Sequence, residues 1–359
     1  MVVAFAVSPS DARAASSQDW SPFVLVTGLL LIGLVADDDG LFAAAGHQLA
    51  RISSSGAVLF GGATVMVAVV TAVLNLDTSV AFLTPVLIYT ARSRGGGEAP
   101  LLYGCLLLSN AGSLFLPGSN LTNLIVLGHL HLTGAAFLSD MWLPALAALV
   151  VTALVVAILE RRALRVGAGE LTPAERPTLG LGLVAVVVAT ALVLALPSPA
   201  LAVVAVGVVA IGVRLATGKD DARHVVDVLG APLLVGLFGV AVALGTLGRI
   251  WLGPSTLLSH LGIWSTAGVA AGSAVLVNNL PAASLLAAHT PSHPFALLIG
   301  LNLGPNLCVT GSLAWMLWLR SARTAGAHPS LAKASRLGVI AVPLSMVAAL
   351  GVLVATGIG

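Results

Sequence analysis

Ala72-Val-Leu-Asn-Leu-Asp77-Thr-Ser-Val80 interrupts an apolar run in which Asp77 is the only charged residue between Gly56 and Ala91. About 200 residues on, Ala274-Val-Leu-Val-Asn-Asn279-Leu-Pro-Ala282 interrupts another apolar run in a similar way. Each is followed by an apolar segment broken in its middle by small polar residues, Gly118-Ser119-Asn120 and then Thr310-Gly311-Ser312. Polar groups at membrane depth are costly. When they recur at matching places in two halves of a chain, they mark where a protein of repeated design handles a solute.

The rest of the chain supports a membrane setting. It has 359 residues, 58% apolar and only 8% charged, with a mean hydropathy of +1.05. A soluble domain of this size could not cover its surface with so few charges. Ile250 to Leu319 contains no Asp, Glu, Lys or Arg, which is too long for one buried helix and requires several crossings. The net charge of +2 carries no nucleic-acid signal, because the basic residues sit in short loops. Cys105 and Cys308 lie in apolar segments and read as small core hydrophobes rather than a disulfide. No basic n-region precedes the short apolar stretch Val2–Val7, so residues 1–20 read as a tail or the remnant of a missing span, not a signal peptide.

Uncharged apolar runs place spans near 21–36, 56–74, 79–92, 100–130 (broken near 117–120), 141–159, 178–196, 199–216, 229–249, 259–277, 280–291, 294–320 (broken near 309–312) and 336–357. The arms 79–92 and 280–291 are short, which suggests re-entrant hairpins with tips at Asn75–Thr78 and Asn278–Pro281. Residues 40–51 look like an amphipathic helix on the inner surface. Arg51, Arg92 and Arg94 flank the first hairpin, and Arg161, Arg162, Arg165, Arg214, Lys219, Arg223, Arg320, Arg323, Lys333 and Arg336 fall in later loops. Placing these inside opens the first hairpin inward and the second outward. The expected fold is an all-α polytopic membrane protein, an inverted repeat with two re-entrant hairpins and two broken helices. Its parts are a tail (1–20), a first repeat (21–159, hairpin 56–92, broken helix 100–130), a cytoplasmic linker (160–177) and a second repeat (178–359, hairpin 259–291, broken helix 294–320).

Hairpin tips and helix breaks expose half-helix ends, whose N–H groups suit oxyanions or hydroxyls and whose carbonyls suit cations. Around them stand Asn75, Asp77, Thr78, Asn110, Ser119, Asn120, Thr122, Asn123, Asn278, Asn279, Asn302, Asn306, Thr310, Gly311 and Ser312. This set has one acid and many neutral donors and acceptors. It fits a small hydrogen-bonding solute and is a poor divalent-metal site; no cofactor motif accompanies it. Asp77 has two compatible readings: a proton carrier, or the N-cap of the second hairpin arm accepting from Ser79 or Val80. The asparagines could equally cap tips or join helices. Asp37-Asp38-Asp39 reads as solvated helix capping, and His129, His131, His260, His289 and His293 as interface residues.

From about Leu30 to the C-terminus the chain resembles the arsenite efflux permeases of the ArsB type, in the ion transporter superfamily with the Na+/H+ antiporter NhaD and the dicarboxylate carriers. The resemblance rests on Asp39-Gly40-Leu-Phe, Asp77 with Leu83-Thr84-Pro85, Ser119-Asn120-Leu-Thr-Asn123-Leu-Ile125, Asn278-Asn279-Leu-Pro281, Leu303-Gly304-Pro305 and Gly311-Ser312-Leu313-Ala314. It implies the inverted-repeat ion transporter fold and export of arsenite and antimonite by proton antiport, sometimes with a soluble ATPase subunit; the abundance of Ala, Val and Gly suggests a multi-pass protein of a bacterial inner or plasma membrane. Homodimers are common in the wider superfamily. The chain departs from this family at Asn110 and Asn302, where acids are usual, and at Asn306, where a Lys is usual. An alternative is an H+- or Na+-coupled carrier of another small inorganic or organic anion. An intramembrane enzyme is disfavoured, since no His-Glu-x-x-His, Gly-x-Ser-x-Gly or paired-Asp site occurs at membrane depth. A channel fits two dead-end hairpins less well than alternating access does.

Overall fold

A computed structural model describes residues 1–128, 130, 132–165 and 180–358. Among these the chain forms α-helices and short 3-10 turns, and no strand. The first helices are α1 (Val2–Val7), α2 (Pro9–Asp38), α3 (Leu41–Ile52), α4 (Gly56–Val73), α5 (Leu76–Ser93), α6 (Ala99–Gly112), α7 (Leu121–Leu127) and α8 (Gly134–Leu159). There follow α9 (Leu181–Ala195), α10 (Ala200–Ala216), α11 (Ala222–Leu229), α12 (Ala231–Ile250), α13 (Gly253–Ser259), α14 (Ile263–Val277), α15 (Asn279–Leu286), α16 (Pro294–Leu303), α17 (Ala314–Thr324) and α18 (Leu331–Ala355). Stretches long and apolar enough to cross a bilayer are Pro9–Asp38, Gly56–Val73, Gly134–Leu159, Ala222–Ile250 and Leu331–Ala355. The fourth is interrupted at Gly230, which adopts a left-handed conformation with φ 55°.

The helices α6, α7, α16 and α17 have 14, 7, 10 and 11 residues. At 1.5 Å per residue none reaches across a core of about 30 Å. They work in pairs: α6 and α7 are joined through a 3-10 turn at Pro117–Ser119, and α16 and α17 through one at Gly304–Leu307. The two broken helices run antiparallel. Trp318 Nε1 donates to Leu102 O (2.8 Å), Asn110 Nδ2 to Asn306 Oδ1 (2.9 Å) and Asn302 Nδ2 to Asn123 Oδ1 (2.7 Å), so one chain ascends as the other descends. The hairpin arms interlock with them: α5 packs on α17 and α15 on α7, while α4 packs on α6 and α14 on α16. Glycines allow close approach. A Cβ on Gly300 would lie 2.2 Å from Ala267 O of α14, and one on Gly338 of α18 would lie 1.8 Å from Asn306 O.

Two expectations need correction here. Residues 1–20 are not a free tail: α2 begins at Pro9, and Ala12, Ala15 and Asp19 are buried. This part of α2 packs on α12, where Phe23 meets Phe238 edge-on at 5.3 Å. The polar run Ser16–Asp19 hid the helix because its partners lie far away in sequence. The second arm of the first hairpin is also longer than the run 79–92, since α5 starts three residues earlier at Leu76. The amphipathic helix appears as α3, with Phe42, Gly46, Leu49 and Ala50 on its buried side. Most of the linker 160–177, and His129 and His131, lie outside the described residues.

Candidate functional site

Four helix N-termini gather around the two breaks: α5 at Asn75, α7 at Asn120, α15 at Asn278 and α17 at Leu313. Each leaves backbone N–H groups without intrahelical partners. Three are capped by asparagine. Asn75 Oδ1 accepts from Thr78 N (2.7 Å), Asn120 Oδ1 from Thr122 N (3.1 Å) and Asn278 Oδ1 from Leu280 N (3.3 Å). Asn279 Oδ1 also accepts from Leu280 N (2.9 Å). The cap of α5 is therefore Asn75 and not Asp77, because an extended Asn75 places its short side chain over the first turn while Asp77 already lies inside the helix. Asp77 is half-buried and has no hydrogen bond or ion pair with any described residue.

The second tip is tied to the second break. Asn279 N donates to Gly311 O (2.8 Å), Asn278 Nδ2 to Thr310 O (3.2 Å) and Thr310 Oγ1 to Val275 O (2.7 Å). Among the described residues Asn278 alone of the non-glycines has a positive φ, 78° with ψ 149°. That region is close to glycine-only and costs about 1–3 kcal/mol, so the surrounding bonds must hold it there. Cys308 Sγ lies 2.9 Å from Thr310 Oγ1 and is partly exposed, unlike the buried Cys105. The first tip joins the first broken helix through Ser79 and Ser109, whose hydroxyls are 3.3 Å apart.

Between the breaks lies a buried amide network that draws on both halves of the chain. Asn302 makes four bonds. Its Oδ1 accepts from Ser113 Oγ (2.5 Å) and Asn120 Nδ2 (2.7 Å), and its Nδ2 donates to Asn123 Oδ1 (2.7 Å) and Leu298 O (2.8 Å). Asn110 Nδ2 donates to Leu106 O (3.1 Å) as well as to Asn306 Oδ1, and Asn306 Nδ2 reaches Leu107 O (3.1 Å). Asn123 Nδ2 and Ser119 Oγ both donate to Ser113 O (2.7 and 2.5 Å) and Leu116 O. Asn110, Asn123, Asn302, Asn306 and Ser119 are therefore mostly occupied with one another or with nearby backbone carbonyls. At Asn110 and Asn302 the carboxamide supplies a donor to the i−4 carbonyl that an ionised acid could not.

Some polar atoms have no such partner. Asn75 Nδ2, Thr78 Oγ1, Asn110 Oδ1, Thr122 Oγ1 and Ser312 Oγ are buried without a hydrogen bond. Buried orphans are costly, about 1–3 kcal/mol each, and call for an explanation such as a ligand. Asp77, Asn278 and Thr310 reach the protein surface. Among the described residues no group of three or more His, Cys, Asp or Glu could hold a metal. Asp37–Asp39 is not a purely solvated cap: Asp39 accepts from Gly182 N (2.7 Å) at the start of α9 and from Arg214 Nη1 (2.5 Å). Arg214 also binds Asp220 (2.5 Å) and lies 3.8 Å from Asp38.

Interlocked hairpins and broken helices with capped ends are the parts of a carrier, and a family model described as a citrate transporter, CitMHS, matches residues 1–319. The chain belongs to the CitMHS citrate transporter family. This CitMHS member is a multi-pass membrane transporter, not an enzyme. The earlier resemblance holds at the level of the ion transporter superfamily and is not specific to arsenite permeases. The fold is similar to that of the YdaH transporter of Alcanivorax borkumensis, whose crystal structure is described as having an unusual topology. The TM-score is 0.58 at 16% identity, over 95% of this chain and 86% of that one.

Proposed function

We propose that this CitMHS member is a secondary active transporter moving a small carboxylate of the citrate type by alternating access, with a coupling cation, H+ or Na+, taken up at Asp77. The observation that carries the reading is that Asn75 Nδ2, Thr78 Oγ1 and Ser312 Oγ are buried without partners at the N-terminal ends of α5 and α17. Helix N-termini present backbone N–H groups and partial positive charge, which attract an anion without a Lys or Arg. An ionised Asp77 opposes part of this field. Neutralising it with a proton or Na+ strengthens the attraction for an anion, which is positive linkage and favours symport. Thr122 and the tip residues Asn278, Asn279, Thr310 and Gly311 complete the solute-facing set. Asn110, Ser119, Asn120, Asn123, Asn302 and Asn306 act one layer behind it, as the joint between the broken helices. The two halves, divided near 160–177, would rock against each other as inverted repeats.

A second reading is proton-driven export of arsenite or antimonite, favoured by the neutral Asn, Ser and Thr lining, which suits uncharged As(OH)3. A soluble ATPase subunit would belong to that reading alone. Proteoliposomes and everted vesicles offered labelled citrate, arsenite or antimonite, with and without imposed pH or Na+ gradients, separate the two. Gradient-driven citrate uptake supports the first reading, and arsenite movement without citrate movement replaces it with the second. Asp77→Asn should fold and bind solute yet lose gradient-driven accumulation. Undiminished accumulation in that variant ends the coupling role of Asp77.

A further inference from the structure

The helices α7 and α15, whose N-termini hold Asn120 and Asn278, have 7 and 8 residues and are only about 10–12 Å long. Their C-terminal ends meet on one side chain. Gln18 of α2 donates through Nε2 to Ile125 O in the last turn of α7 (3.0 Å) and to Ala287 O at the end of α15 (3.1 Å). Its Oε1 accepts from Arg249 Nη2 of α12 (2.5 Å), and Arg249 Nη1 is fixed on its own helix at Gly245 O (2.8 Å). The bond from Arg249 sets which way the carboxamide faces, because the oxygen must point at the guanidinium and the NH2 at the two carbonyls.

One side of α7 is less tightly packed than the other. Leu124, Leu127 and Gly128 on one side of it border a cavity of about 210 Å³ that also touches Gln18 and Gly118. The other pair of elements is held differently. Arg92 of α5 donates to Ala325 O (2.7 Å) and Gly326 O (3.0 Å) beyond the end of α17, and pairs with Glu98 (2.9 Å). That clamp closes α5 on α17 and the start of α6 without engaging α2 or α12.

We infer that Gln18 is a positioning residue for transport: its carboxamide, oriented by Arg249, sets the spacing of α7 and α15 and latches that pair to α2 and α12 until the cycle releases it. This rests on the proposed site at the N-terminal ends of the same two helices. With their C-termini on one amide, a shift of either helix moves Asn120 or Asn278.

Gln18→Glu keeps length and the acceptor for Arg249 but removes both donors. Gln18→Met keeps length and bulk without polarity. The readout is the rate of maleimide alkylation of Cys308, beside the second tip, against that of buried Cys105, in the full-length protein in proteoliposomes. Loss of both interhelical bonds predicts roughly a tenfold faster reaction at Cys308 in both variants, with Cys105 unchanged. Citrate KM should rise more than Vmax falls. An unchanged Cys308 rate overturns the inference, and so does an equal rise at Cys105, which would make Gln18 a general packing residue. Because alkylation needs no substrate, the expected Cys308 pattern in a protein that fails to move citrate would leave the latch standing and retire the citrate reading instead.

Discussion

Replacing Asn302 with Ala tests whether the buried amide network is a joint or a solute cage. The substitution deletes four hydrogen bonds, two of which leave a partner with nothing else: Asn120 Nδ2 and Asn123 Oδ1. Ser113 Oγ keeps its bond to Asn110 O (2.7 Å). Three of the four, those to Ser113, Asn120 and Asn123, join different segments, and at about 0.6 kcal/mol per interhelical bond in membrane bundles they contribute about 1.8 kcal/mol. Two orphans at about 1–3 kcal/mol each set an upper end near 6 kcal/mol. The expected loss is thus about 2–6 kcal/mol, seen as reduced thermal stability of the purified protein in detergent. A double-mutant cycle with Asn123→Ala should give a coupling of about 0.5–3 kcal/mol, since the two share one bond. Ser312→Ala, which removes a buried hydroxyl with no partner, should leave stability equal or higher while raising substrate KM. A loss below about 0.5 kcal/mol for Asn302→Ala, against that lower bound of about 2, would refute the joint and return Asn302 to the solute-contacting set.

Two further outcomes follow from packing and charge. Gly338→Ala places a methyl 1.8 Å from Asn306 O, so α18 must withdraw from the second break at a cost of about 1–3 kcal/mol, measurable as a lower melting temperature. Arg214→Leu leaves Asp38, Asp39 and Asp220 facing one another without their shared cation. It should cost about 3–5 kcal/mol and sharply reduce folded yield, with Arg214→Lys intermediate; fluorescence-detected size exclusion would show both.

Much of this architecture is legible in the sequence for a simple reason. A polar residue inside an apolar run has few places to go, so Asn75, Asn278, Ser119 and Ser312 announce interruptions in the sequence itself. The assignment of roles is less legible. Asn302 and Asn123 look alike as candidates for solute contact, and only the antiparallel crossing of segments some 180 residues apart reveals that they satisfy each other. Asp77 and Asn75 lie two residues apart, and either can cap a helix; the extended backbone at Asn75 decides between them. Gln18 sits in a polar stretch that reads as a tail, because its partners Ile125, Arg249 and Ala287 are spread over the whole chain. The helix needed that burial to become visible.

Both hairpins serving one site is the claim most open to direct attack. Ala81→Cys puts a reporter one turn beyond Asp77 on α5, at a half-buried position, and native Cys308 reports from the second tip, with Cys105 replaced by Ala in the same protein. Citrate with its coupling cation should slow alkylation at both positions over the same concentration range. Protection at one position alone, or at neither while transport proceeds, would contradict a shared site.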